Sequence, residues 1–272
     1  MEYGIDDIFP IVIDNGTDSI KAGIGGDEIL FSIFPTLVAK PQNHSLFSTH
    51  SYLSKYNDYY VGNQITSSLK DICSLQTPIQ NGRITDWNGM EKIWNYTFRE
   101  ELHATSMKNS LVLHTDSINT TKKDREIMTE MMFETFNVAG THNECKSIVP
   151  MCCYDTTGIV IDYGEDSTCI IPIFEGQVEK HSIQTIDIGG RTITDYFQQK
   201  VNEKEGCLFT KPSERDVVKQ MKESICYVSI DYQEELKKIS KNMKNHINFL
   251  MKQFFLLKKN VLNLQKFYLL HH

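Results

Sequence analysis

Two short stretches hold the residues best able to do chemistry. Ile11 to Gly23 reads IVIDNGTDSIKAG, an apolar run that ends in Asp14, turns through Gly16 and Thr17, and returns through Lys21. A strand ending in Asp14-Asn15-Gly16-Thr17 brings a carboxylate and free backbone N–H groups to one tight turn, a geometry that can hold a metal-bound phosphate. Gly158 to Ser167 reads GIVIDYGEDS, so Val12, Ile13, Asp14, Gly16, Asp18 and Ser19 recur as Val160, Ile161, Asp162, Gly164, Asp166 and Ser167 at one constant offset. A lone carboxylate after a strand is as readily a turn cap. The recurrence moves Asp14 and Asp162 toward metal and phosphate chemistry.

The elements that must position these turns are legible in outline. Ser19 to Gly23 reads as the returning strand of a hairpin, and Ile29 to Val38 as a further extended segment ending near Pro35 and Pro41. Residues 42 to 60 show no sustained period and predict an exposed insertion. From Asp86, which can cap, Trp87, Met90, Ile93, Trp94, Thr97 and Phe98 fall at helical spacing. Leu111-Val112-Leu113 predicts a short buried strand. Lys122 to Phe136 predicts a helix with Ile127, Met131, Met132 and Phe136 on one face and Asn137 as its stop. After the second hairpin, Ile186-Asp187-Ile188 ends in Gly189-Gly190 and leads into a helix over Thr192 to Val201. That Gly pair suits close approach of a ligand or a sharp strand-to-helix turn equally. Ser213 to Val228 predicts a last helix, started by Ser213 and Asp216, with Val217, Met221 and Ile225 facing inward.

Composition narrows the classes. The chain has 272 residues, 40% apolar and 23% charged, as a globular protein of two lobes would. Its formal charge of −7 is uneven: eight Lys and no acid follow Glu235, so the part before carries −15 (−7 minus +8). A body that acidic repels nucleic acid, and no direct nucleic-acid partner is expected. Seven Cys form no C-x-x-C pair, which reads as reduced thiols in a cytosolic or nuclear protein. No secretory signal or transmembrane segment is expected; the most apolar late run, Ile247 to Leu257, is short and holds Lys252.

The order of the motifs IDNGTDSIKAG, ITDWNGMEKIWNYTF, MTEMMFETFNV, TTGIVID, IDIGGRTITDY and MKESICYVSID, from about Phe9 to Glu235, resembles the actin family. Beyond it lies the wider group of sugar kinases and heat-shock chaperone ATPases. The resemblance implies an α/β fold of two lobes with ATP and Mg between them, the second lobe incomplete. Residues 1–153 would form the first lobe, with a small inserted subdomain at about 37–77, and 154–235 part of the second. By the same resemblance Asp14 and Asp162 would face the metal through its water shell. Gly16 and Thr17 would donate to phosphate, Lys21 would reach it, Gly164 would serve the second loop, Gly190 would pass close to the nucleotide, and Lys222 and Glu223 would lie by adenine and ribose.

Several positions depart from the family pattern. Asp18 and Asp166 stand where actin has Gly, adding carboxylates beside the phosphates. Lys146 stands where actin holds its water-orienting Gln, and Cys169 where it holds a neighbouring His. Lys donates but cannot accept, so it cannot share protons with an attacking water. Pro150 interrupts the segment expected to be a connecting helix. At most a weak ATPase is expected. Asn81 replaces a His, Lys219 replaces an Arg, and the insertion lacks the hydrophobic loop that actin extends to its neighbour.

The resemblance ends at about Glu235. Residues 236–272 form a basic apolar tail whose Met243, Ile247, Leu250, Phe254, Leu257, Val261, Leu264 and Tyr268 recur at alternating spacings of 4 and 3. It reads either as an amphipathic segment or as A/T-rich codons translated past a missed splice or a truncation. Three functional classes stay open: a cytoskeletal actin-like protein, a structural actin-related subunit of a nuclear or cytoplasmic complex, and a small-molecule kinase. TFREEL, FETFNV and CYVSID weigh against the kinase. Other actin-like subunits or actin-binding proteins are the expected partners, in the cytoplasm and cytoskeleton or the nucleus.

Overall fold

A computed structural model describes residues 9–27, 29–41, 58–104, 106–147, 149, 157–205, 209–227, 229–231 and 233–234. The first part of the insertion (42–57), Pro150 and the 236–272 tail lie outside the described residues. The chain divides into two compact units, Met1–Arg191 and Thr192–His272.

The first unit is built on a five-stranded sheet in the order β10-β9-β1-β2-β3. β1 (Phe9–Asn15) pairs antiparallel with β2 (Ser19–Ile24), which pairs antiparallel with β3 (Ser32–Pro35). β9 (Ser110–Asp116) and β10 (Gly140–Cys145) add in parallel, so Thr115 lies opposite both Asp14 and Glu144. Ile11 and Ile13 are buried in β1, whereas Val12 and Asp14 face the other way and are half-buried. The strand predicted at Leu111-Val112-Leu113 exists but is longer. Only its alternate residues are buried, and Leu111 is exposed, because successive side chains point to opposite faces and only one face packs on the core.

A small sheet, β5-β4-β6, is formed by β4 (Val38–Pro41), β5 (Tyr60–Val61) and β6 (Cys73–Gln76). Ala39, Tyr60, Ile65, Leu69 and Cys73 form its core, with α1 (Ser67–Ile72) against it. Tyr60 is therefore core, where the sequence placed it in an exposed insertion. β7 (Ile79–Gln80) and β8 (Arg83–Ile84) make a two-stranded hairpin whose turn residues Asn81 and Gly82 both have positive φ, 50° and 73°.

Two helices cover the main sheet. α2 (Trp87–Tyr96) starts at Asp86, whose side chain accepts from the Gly89 N–H at 3.0 Å. α3 (Lys122–Glu130) starts at a Thr121–Asp124 capping box. Each runs into a π-helical turn, Thr97–Glu101 and Met131–Thr135, and each then reverses through a left-handed residue, His103 (φ 52°) or Asn137 (φ 53°). Met90, Ile93, Trp94, Phe98, Met128 and Met132 bury their side chains in one core with Ile11, Ile13, Ile20 and Phe34. Each large side chain of this kind contributes about 1.5–3 kcal/mol.

The second hairpin, β11 (Gly158–Tyr163) and β12 (Thr168–Phe174), belongs to a separate four-stranded sheet with β13 (Gln177–Val178) and β14 (Gln184–Ile186). α4 (Gly190–Glu205) follows β14 after the double Gly. In the second unit α5 (Pro212–Ile225) starts with Pro in its first turn, and the Glu214 carboxylate accepts from the Thr210 and Lys211 N–H groups. The start is thus Lys211-Pro212 with Glu214, not Ser213 and Asp216. Val218 rather than Val217 is buried, packed with Phe197 and Val201, because the face that carries Met221 and Ile225 is completed three residues before Met221 rather than four.

Candidate functional site: two matched turns and their lysines

Both turns sit at the ends of hairpins with the same register. Asp14 lies opposite Lys21 in the first, and Asp162 opposite Cys169 in the second. The glycines are required sterically in both. A Cβ on Gly16 would lie 2.4 Å from the Ser19 carbonyl oxygen, and one on Gly164 would lie 2.9 Å from that of Ser167, the corresponding residue. Both glycines are thus accounted for by closure of the turns, and the N–H that Gly16 was expected to give to phosphate is bonded within its own turn. The Gly16 N–H donates to the Asp14 carbonyl (3.1 Å) and the Gly164 N–H to the Ser167 carbonyl (2.9 Å).

The Asn81-Gly82 turn staples the two together. The Gly82 N–H donates to Thr17 Oγ1 (3.2 Å) and the Asn81 N–H to Asp166 Oδ2 (2.8 Å). Thr17 accepts here through its oxygen, which leaves its hydroxyl proton for another acceptor. Asp166 also accepts from Arg191 Nε at 2.7 Å, so its added charge is balanced within the fold rather than set against phosphate. Asp18 is exposed, and its carbonyl accepts from the Thr36 N–H.

Gly189 and Gly190 press on the second turn. The Gly190 N–H donates to the Gly164 carbonyl (3.0 Å), and a Cβ on Gly189 would stand 2.3 Å from the Glu165 carbonyl oxygen. The double Gly is accounted for by backbone packing against the turn.

The two carboxylates are each met by an ammonium. Asp14 Oδ1 accepts from the Thr115 hydroxyl (2.6 Å) and Oδ2 from Lys21 Nζ (3.0 Å). Burial alone would raise the Asp14 pKa. The Thr115 hydroxyl, Lys21 and the charge of Lys146 outweigh it and hold Asp14 below the ordinary carboxylate range. Asp162 pairs with Lys146 Nζ at 3.0 Å, both side chains about one quarter exposed, at 27% and 28%. The second hairpin has Cys169 where the first has Lys21, and Lys146, just past β10, brings the missing ammonium from outside. Cys169 is buried, its Sγ 3.7 Å from Thr185 Oγ1. Lys222 and Glu223 lie in the second unit, where Lys222 Nζ donates to Thr194 Oγ1 (2.9 Å) and Glu223 is exposed.

The donor set fits a nucleotide's phosphates better than it fits a metal. Lys21 and Lys146 bring two cations, and Thr17 keeps a hydroxyl proton to donate. A hydrated divalent ion at Asp14 and Asp162 would instead compete with the ammonium group that each carboxylate already holds through one oxygen. Among the described residues no group of three or more His, Cys, Asp or Glu side chains converges as a metal site.

Sequence reasoning missed the network beneath the first turn. Asn15 donates through Nδ2 to the Thr115 carbonyl (3.2 Å) and lies 3.3 Å from His114 Nδ1, while its Oδ1 accepts from Trp94 Nε1 at 3.1 Å. His114 is completely buried, its ring 5.3 Å from that of Trp94, and burial lowers its pKa to about 3. Asp116 takes a bidentate pair from Arg125, and Asp124 one from Arg83. These partners lie on elements distant in sequence, and only the isolated polar residues within apolar strands hint at them.

Two hairpins of matching register, each ending in Asp and Gly and each within a sheet of its own, define an α/β protein built on a repeated hairpin. Within that class, the family model for actin matches residues 5–264, and the chain belongs to the actin family. The match runs past Glu235, where the sequence reading ended the resemblance. The chain is 31% identical over 229 residues to an actin-like protein of Neurospora crassa, covering 84% of this chain and 59% of that protein. It thus spans somewhat over half the length of that relative.

Proposed function

We propose that this is an actin-like cytoskeletal protein that binds ATP at the paired turns and hydrolyses it slowly or not at all. The observation that carries the reading is the identical register of the two hairpins, with Gly16 and Gly164 each held against the carbonyl of the corresponding Ser. Lys21 and Lys146 supply the positive charge that phosphate oxygens need. Slow turnover follows from Lys146, whose ammonium is bonded to Asp162 and cannot accept a proton from water, and from Cys169, which is buried. The adenine-side roles of Lys222 and Glu223 and the close approach of Gly190 belong to this proposal, as does a cytoplasmic, cytoskeletal location. No helix among the described residues is long and apolar enough to cross a membrane.

The test is direct. Equilibrium binding of a fluorescent ATP analogue, competed by ATP, should show one saturable site, and phosphate release should stay at least tenfold below that of filament-forming actin. Turnover equal to actin's would overturn the slow-hydrolysis reading. A second reading, a structural subunit of a larger assembly, is favoured by the apolar row that Ile159, Ile161 and Tyr163 expose on β11. Sedimentation with ATP separates the two: pelleting above a critical concentration supports the filament, and a soluble species that copurifies with other chains supports the subunit.

A further inference from the structure

We infer that Lys146 supplies from within the chain the positive charge that a divalent ion would otherwise bring to Asp14 and Asp162, so that this site takes the phosphates of a nucleoside triphosphate without a metal. The inference rests on the nucleotide reading above. Three observations carry it. The two hairpins are equivalent in register, yet only the first has a Lys opposite its Asp; the second has Cys169. The vacancy in charge is filled by Lys146, which reaches Asp162 Oδ2 at 3.0 Å from the end of β10. Asp14 is likewise engaged on both oxygens, by Thr115 and by Lys21.

The local charge decides the metal's role. Among the four paired groups Asp14 and Asp162 contribute −2 and Lys21 and Lys146 contribute +2, while Asp18 is exposed and screened by solvent. An uncharged amide in place of Lys146 would leave a net −1 facing incoming phosphates, and a divalent ion would then be needed to reverse the sign. With Lys146 present these two carboxylates are already balanced, and a metal would have to compete with an ammonium group at each of them. Lys is suited to this work because its ammonium is a compact point charge with three donors. It can hold Asp162 and still offer N–H to a phosphate oxygen.

The test compares the wild-type chain with Lys146→Gln by calorimetric titration of ATP, once in EDTA and once in excess MgCl2. The wild type should bind ATP with affinities within about threefold in the two buffers. Lys146→Gln should lose at least tenfold affinity in EDTA and recover most of it with Mg²⁺. A second arm uses Mn²⁺ alone, read by electron paramagnetic resonance: Lys146→Gln should bind it at least tenfold more tightly than the wild type. Lys146→Arg, which keeps the charge, should behave as wild type in both arms. Where Lys146→Gln does not fold, Lys146→Met provides the uncharged variant. A wild type that needs Mg²⁺ for ATP overturns this inference while leaving the nucleotide reading intact. Absence of ATP binding in both buffers overturns the nucleotide reading, and the Mn²⁺ arm then decides the charge substitution by itself. Equal Mn²⁺ affinity of wild type and variant overturns it.

Discussion

His114 is the residue whose chemistry is most constrained by its surroundings. It is wholly buried, Asn15 lies against Nδ1, and Nε2 has no hydrogen-bond partner. Charging the ring there would leave an uncompensated cation, which is why its pKa falls to about 3. The unfolded chain takes up that proton near pH 6.5. Between pH 6.5 and 3 the unfolded state therefore binds the extra proton, and stability is lost as pH falls through that window. At about 1.4 kcal/mol per pH unit, acidification from pH 6.5 to 5 should cost about 2 kcal/mol. His114→Phe should flatten the dependence of the urea midpoint on pH over this range. Asp124 acts lower: the Arg83 pair brings its pKa to about 2, so its contribution is present above about pH 4 and fades only below it. Neither was legible from sequence. The two hairpins that end at Asp14-Gly16 and Asp162-Gly164 were legible as a matched pair because the motif repeats, whereas His114 and Asp124 draw their properties from Trp94, Asn15 and Arg83, whose approach no local pattern encodes.

At the scale of elements, the β7–β8 hairpin is the unexpected one. Its tip donates backbone N–H groups to both Gly turns, so side-chain reasoning at Asn81 could not find it. Gly82 holds φ 73°, and a Cβ there would fall 2.8 Å from Ser117 Oγ. Gly82→Ala should therefore cost about 1–3 kcal/mol and also weaken ATP binding, since it shifts the donor to Thr17. Asn81→Gly keeps the N–H and relieves a left-handed non-Gly residue, so it should leave both unchanged or stabilise slightly. Urea denaturation and ATP titration of the two variants check this. If both lose affinity alike, the side chain and not the staple is what matters. The four longer helices were legible from their 3–4 spacing, but only the Asp86 cap of α2 was placed; the start of α5 was misassigned and the short α1 was not foreseen. The π-helical last turns of α2 and α3 were not legible, because the widening depends on how Phe98, Leu102, Met132 and Phe136 settle into the core.

For the whole molecule, the two hairpins provide an internal comparison. In the first, the face away from Asp14 carries Ile11, Ile13 and Asn15, with exposures of 3%, 0% and 7% under α2 and the core. In the second, the equivalent residues Ile159, Ile161 and Tyr163 are 65%, 43% and 62% exposed. The sequence repeats, but its burial does not, and among the described residues β11 pairs with β12 alone. A strand with one open edge and an apolar outward row is a template for self-association. The isolated chain should thus show scattering that rises steeply with concentration. Ile159→Lys with Ile161→Glu should suppress this rise, because charges on an open edge oppose pairing. Ile159 is mostly exposed and Ile161 a little under half, so the unfolding free energy should fall by no more than about 1 kcal/mol. Ile11→Lys, at the corresponding position of the first hairpin, supplies the contrast. It would place an ammonium in the core and should unfold the chain outright, at a cost of several kcal/mol. If the β11 pair instead lowers stability to the same degree, that face is covered in solution and the two hairpins are equivalent after all.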